Sequence, residues 1–208
     1  MFASVALCWL VALPLIGLAQ TKPATTTLTA QQSAPRDGQR RLAGAPASDA
    51  PLERRDGAHD FDFDLGVWKT HITRRLHPLT ASDETMQLTG TVTVRKVWDG
   101  RGQLEEIEAD GPKGHWEGMT VFLYDPNARQ WSMNFANSSV GKFAPPMIGS
   151  FENGRGELIS QDTLDGRSIL VRAVWSDITP TSHTYQESYS ADGGRTWQVA
   201  FTAKKTRE

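Results

Sequence analysis

From residue 59 to the C-terminus, apolar and polar side chains alternate with a period of two. In the last such segment Trp197, Val199, Phe201 and Ala203 share one side, and Gln198, Ala200, Thr202 and Lys204 the other. In 130–136, Trp131, Met133 and Phe135 oppose Gln130, Ser132 and Asn134. In 116–124, Trp116, Thr120, Phe122 and Tyr124 oppose Glu117, Met119, Val121 and Leu123, so that both sides carry apolar groups. Successive side chains of a strand point to opposite faces, and this period therefore predicts strands. About ten are expected, near 66–76, 87–98, 102–109, 116–124, 130–136, 147–152, 156–162, 168–175, 183–190 and 197–205. Asp99-Gly100-Arg101-Gly102, Asn153-Gly154-Arg155-Gly156, Asp165-Gly166 and Asp192-Gly193-Gly194 lie between them and supply the positive φ that tight hairpins need. Asp125-Pro126-Asn127 suits a type I turn. Short connections pair consecutive strands antiparallel, and a long meander protects its edges by closing. The expected fold is all-β: a closed antiparallel up-and-down barrel of about ten strands.

Upstream the texture differs. Residues 1–19 form an apolar run without a charged side chain, ending Gly17-Leu18-Ala19 before Gln20. That pattern reads as a secretory signal peptide, with an uncleaved N-terminal anchor as the alternative. Residues 20–56 are rich in Thr, Ala, Gln, Ser and Pro and poor in large apolar groups, the composition of a disordered leader. One helical turn is expected over 49–57, and the barrel domain over 57–208. Cys8, the only cysteine, lies inside the apolar run, so the mature chain has no disulfide and depends on its core. The expected location is secreted or periplasmic, with no membrane span in the mature chain. Formal net charge is only −2, with both signs interspersed, which argues against a nucleic-acid partner.

His59-Asp60-Phe61-Asp62-Phe63-Asp64-Leu65-Gly66-Val67-Trp68 has three alternating aspartates, as a calcium loop does. The sixth position should then be glycine and the twelfth glutamate, but Leu65 and His71 stand there. A strand fits better, with Phe61, Phe63 and Leu65 buried and the aspartates wet. In this context Gly66-Val67-Trp68 resembles the start of calycin-superfamily barrels, and a closer resemblance is to a bacterial lipocalin-like family of unknown function. It runs from Phe61-Asp62-Phe63 and Leu65-Gly66-Val67-Trp68 through Leu104-Glu105-Glu106, Tyr124-Asp125-Pro126, Gln130-Trp131-Ser132, Gly149-Ser150-Phe151, Val171-Arg172-Ala173 and Trp175 to Ser190-Ala191-Asp192-Gly193-Gly194-Arg195-Thr196-Trp197, in order. The resemblance implies a barrel whose Trp68 plugs one end, with Lys205 or Arg207 lying on the indole. It carries no activity with it.

Several side chains are candidates for chemistry. Arg172 lies mid-strand beside Leu170 and Val174. If that face is interior its charge needs a partner, which Glu106 or Glu187 could supply. Such a pair fixes register, sits at the rim, or anchors a ligand's head group. His183, Tyr185, Glu187 and Tyr189 share one face of the ninth strand, either an exposed face with aromatic cross-strand pairs or a cavity wall fit for acid–base work. No histidine pair has a zinc-like spacing, and His71, His115 and His183 match no haem-ligand context. No cofactor is expected. The reading is an exported binding protein that holds a small, mostly apolar ligand with a polar or anionic end. Trp116, Phe122, Trp131, Phe135 and Trp175 would supply the wall, and Arg172 with Glu106 the polar anchor. An enzyme of isomerase, cyclase or hydrolase type on the same barrel is the alternative, with Glu106, Glu187, Tyr185 or His115 as acid–base groups.

Overall fold

A computed structural model describes residues 56–208. The expected signal peptide, nearly all of the leader and most of the helical turn expected from residue 49 lie outside the described residues. Ten strands follow one another: β1 (Gly66–Arg75), β2 (Thr85–Val97), β3 (Gly102–Gly111), β4 (Gly114–Asp125), β5 (Gln130–Asn137), β6 (Met147–Glu152), β7 (Arg155–Leu164), β8 (Arg167–Ser176), β9 (Ser182–Ser190) and β10 (Gln198–Arg207). Each pairs antiparallel with the next, and β1 pairs with β10, so the sheet closes. Ile72 sits opposite Ala203 on one side and Leu88 on the other, which carries the core across the seam.

Local chemistry sets the turns. Asn153-Gly154 and Asp165-Gly166 both have positive φ at both residues and link strands that pair up to the turn, Glu152 with Arg155 and Leu164 with Arg167. These are two-residue hairpins of the kind that matches the twist of flanking strands. Two other glycines mark close backbone approach. A Cβ on Gly90 would lie 1.9 Å from the Glu108 carbonyl oxygen, and one on Gly149 would lie 2.0 Å from that of Glu157.

The turn after β9 is built around Asp192. Its carboxylate accepts bonds from the Thr196 hydroxyl (2.7 Å), the Thr196 N–H (2.9 Å), the Ser190 hydroxyl (2.8 Å) and the Arg195 N–H (3.0 Å). Thr196 foremost, with Ser190 and Arg195, holds this carboxyl down at about 2. A depressed folded-state pKa gives stability that is complete above the ordinary aspartate range and lost as pH falls toward about 2. Asp192→Ala is therefore expected to melt below the parent at pH 5 to 7, with the gap closing as both are taken toward pH 2. A gap of constant size across that range would show that the carboxylate charge is not what holds the turn.

Two stretches depart from the alternation in the sequence. Residues 59–65 are not a strand but turns and one turn of 3₁₀ helix (Asp62–Asp64), with the Asp62 N–H donating to His59 and the Asp64 N–H to Phe61. A helical turn brings third neighbours together, so Phe61 and Asp64 both point inward and are fully buried, and the expectation that the aspartates are all wet fails at Asp64 and at Asp60, which is also buried. In β10 a bulge between Val199 and Phe201 inserts a residue into the ladder. Val199 is thereby turned out to 42% exposure, while Phe201 and Ala203 pack on the core.

Candidate functional site

The barrel interior divides into a tightly buried half and a half in which several interior side chains are partly exposed. The tightly buried half begins at the entry turn. Phe61 packs edge-on against Trp131, Phe151 and Trp175, and tilted against Phe122, with ring centroids 4.6–5.1 Å apart. Such contacts add to what burial of the rings contributes. The Trp131 indole N–H donates to the Gly57 carbonyl (2.8 Å), tying the segment before the barrel to its wall. Trp68 closes this end. Its N–H donates to the Asp64 carbonyl (2.7 Å), and the Arg207 guanidinium lies 4.1 Å from its ring centroid. Arg207 also donates to the Phe63, Leu65 and Pro180 carbonyls, so it staples the entry turn to the last strand.

Lys205 does not stack on the indole. It turns inward, where its ammonium donates to both oxygens of Asp64 (3.2 and 3.3 Å) and to Glu105. Thr120 donates to the other Glu105 oxygen (2.9 Å), and His183 Nε2 lies 3.1 Å from Asp64 Oδ1. All five side chains are buried. Burial works against the Asp64 carboxylate, but Lys205 and His183 outweigh it and hold its pKa below the usual value. Burial likewise works against the Lys205 ammonium, and the two carboxylates outweigh it and raise its pKa. Sequence reasoning missed this cluster, although a signal existed. Ile107 and Ala109 alternate with Glu106, Glu108 and Asp110, which places Glu105, not Glu106, on the inner face.

The other half carries the candidate site. On β9, Tyr185 pairs with Trp175 and Ala203, Glu187 with Ala173 and Phe201, and Tyr189 with Val171, all core positions or packed on the core. The face His183–Tyr185–Glu187–Tyr189 is thus interior, and the exposed version of that face is corrected. Tyr189 donates to Glu187 Oε1 (2.8 Å) and Tyr185 to Oε2 (3.2 Å). Around them Trp116, Phe135, Ser160, Asp162, Glu187, Tyr189 and Phe201 are half-buried, while Ile72, Leu88, Ile169 and Val171 in the same half are buried. Arg74 stands exposed at the rim, opposite Phe201. Burial pushes the Glu187 carboxyl above its ordinary range, against the two phenols and Arg74; the Asp162 charge adds to the rise. Burial also raises Asp162, against an N–H bond from Thr163. Both phenols are pushed well above theirs, by burial first and then by the Glu187 charge.

The remaining candidates fall elsewhere. Arg172 alternates with the core residues Val171 and Ala173, so it faces outward, and its guanidinium lies 4.3 Å from the centroid of the Trp197 ring. Glu106 is exposed and 3.9 Å from Arg95, also exposed. The expected Arg172–Glu106 pair is not formed, and neither group is inside. The ambiguity was physical: both faces of β8 are apolar, because Trp197 and its turn cover the outer one. His115 is exposed and bonded to Asp110 (3.0 Å), which raises its pKa. Phe122, Trp131 and Trp175 form the floor under the partly exposed half, whereas Trp116 and Phe135, 6.2 Å apart and stacked, belong to its wall. Trp98, 64% exposed in a turn, neither plugs nor lines the barrel. Among the described residues no group of three or more His, Cys, Asp or Glu is arranged to hold a metal ion. None of the described helices is long and apolar enough to cross a membrane. Two shallow hollows lie outside the interior, one along Leu123, Trp131 and Ile148, the other at the rim between Pro78–Thr80 and Leu164, Ile169.

No protein-family model matches the sequence, and no curated protein matches it. Among solved structures, an S-type phycobiliprotein lyase from Guillardia theta is similar with a TM-score of 0.51 and 12% identity, over 78% of this chain and 98% of that one. A redesigned β-barrel bound to DFHBI is similar with a TM-score of 0.40 and 13% identity, over 70% of this chain and 99% of that one. At 12% identity the likeness to the lyase is one of fold, and the fold of this chain is a closed barrel of ten antiparallel strands.

Proposed function

We propose that this chain is an exported carrier of the lipocalin-like kind, holding a small, mostly apolar molecule with a polar end in the partly exposed half of its barrel. The observation that carries the reading is the contrast between the two halves. One is packed solid with aromatic rings around Phe61; the other keeps half-buried aromatic wall around a carboxyl group braced by two phenols. Concave apolar wall with a few convergent polar groups is the usual composition of a small-molecule site. Export rests on the uncharged apolar run of residues 1–19 and on a barrel without cysteine.

A second reading has one observation in its favour. Glu187, with a raised pKa and two tyrosine hydroxyls on it, is composed as an acid–base group. It makes Glu187 and Tyr185 the reacting groups, not Glu106 or His115.

Ser160 lies on the interior face of β7, opposite Val171, and is half-buried. Ser160→Trp is expected to fill the cup and abolish binding of a neutral apolar fluorophore such as N-phenyl-1-naphthylamine, with the barrel still folded by its melting curve. Undiminished fluorophore binding in a folded variant would place the apolar site outside the barrel and end the carrier reading.

A further inference from the structure

We infer that the partly exposed half of the barrel selects a ligand whose polar end is a protonated amine, held between the Glu187 carboxylate and the surrounding aromatic faces. This rests on the carrier reading and names its ligand class. The first ground is hydrogen-bond capacity. Tyr185 and Tyr189 both spend their only proton on Glu187. What remains toward the cup is lone pairs on two phenol oxygens and a carboxylate. At Glu187 itself the interior therefore offers acceptors, and a group that meets it there must bring donors. An ammonium brings three, and a carboxylate brings none.

The second ground is charge. Each element around Glu187 contributes to the balance. On β9 itself the neighbours are the two phenols. From β8 and β10, Ala173 and Phe201 face it and carry no charge. From β7 comes Asp162, a second carboxyl that is half-buried and opposes ionisation of Glu187. From β1 comes Arg74, the cation that acts on Glu187, but it stands exposed at the rim, where solvent screens it. The Lys205 ammonium is already taken by Asp64 and Glu105. Two inward carboxyls thus face one solvated guanidinium, and burial of the acids is left without a matched cation.

The third ground is the wall. Tyr185 packs on Trp175 (5.0 Å between centroids) and edge-on to Phe201 (5.9 Å). Aromatic faces next to a carboxylate are the surroundings that a desolvated ammonium prefers. The outward position of Arg172 leaves an anionic head group without an interior partner other than the rim arginine.

The test compares three ligands of equal chain length on the full chain: decylamine, decanol and decanoate, read by quenching of tryptophan fluorescence at neutral pH. Decylamine is expected to bind about tenfold or more tighter than decanol, the worth of one charge-assisted hydrogen bond, with decanoate weakest. Glu187→Gln is expected to bring decylamine to the affinity of decanol, and Asp162→Asn to lower it partway. Melting curves verify folding, and should Glu187→Gln fail to fold, the wild-type ranking and Asp162→Asn decide. Decanol or decanoate equal to or tighter than decylamine would overturn the amine assignment while leaving the carrier reading standing. No binding by any of the three would overturn both.

Discussion

Trp68→Ala is expected to lower the free energy of unfolding by about 3–5 kcal/mol, the range for removing a large aromatic from a core that cannot collapse around the gap. The indole is completely buried, and the groups that hold it would all be left behind. The Asp64 carbonyl loses its N–H donor, His183 loses the ring it meets edge-on at 4.7 Å, and Arg207 loses the face it lies on. These groups belong to the entry turn, β9 and β10, so the void opens where four segments of the chain are joined. Relaxation is resisted because Arg207 remains fixed by three backbone carbonyls. Urea unfolding measures the loss directly. A double-mutant cycle with Arg207→Ala then isolates the stacking, for which a coupling of about 0.5–2 kcal/mol is expected. An unchanged unfolding midpoint in Trp68→Ala would mean that the indole does not plug the barrel.

The strands were legible because their period survives in the sequence, and the hairpins because Asn153-Gly154 and Asp165-Gly166 admit few other conformations. The entry turn was not. Phe61-Asp62-Phe63-Asp64-Leu65 satisfies a period of two, yet two of its members, Phe61 and Asp64, have the spacing of a helical turn and both are buried. A five-residue stretch cannot separate those periods; the buried partners of Asp64, about 120 to 140 residues away at His183 and Lys205, decide it. The β10 bulge is the same kind of limit, since Val199 and Phe201 look equivalent until the register with β9 is known. The candidate site was half legible. Grouping His183, Tyr185, Glu187 and Tyr189 on one face followed from alternation alone, but which way that face pointed did not, because tyrosine and glutamate suit either side. Arg172 misled for the converse reason: its strand is apolar on both faces, and the cover on the outer one, Trp197, arrives from a turn twenty-five residues on.

Lys205→Met is expected to cost about 3–5 kcal/mol, although methionine fills nearly the same volume and adds no polar group. The reason lies in what stays behind. Lys205 is 4% exposed and is the cation shared by Asp64 and Glu105, themselves 0% and 5% exposed. Without it two carboxylates lie close together in the barrel base, with the Thr120 hydroxyl bonded to Glu105 and His183 Nε2 3.1 Å from Asp64. Neither can reach water, so at least one must take a proton or the base must open. The expected loss thus measures the orphaned charges more than the worth of the bridge. That distinction can be measured. Adding Glu105→Gln and Asp64→Asn to Lys205→Met removes the charges, and the triple variant is expected to regain part of the lost stability while remaining below the parent. Near-parental stability in Lys205→Met alone would show that the three groups do not form a closed, water-free network. A triple variant weaker than the single one would show instead that the carboxylates hold the entry turn by bonds other than those to Lys205.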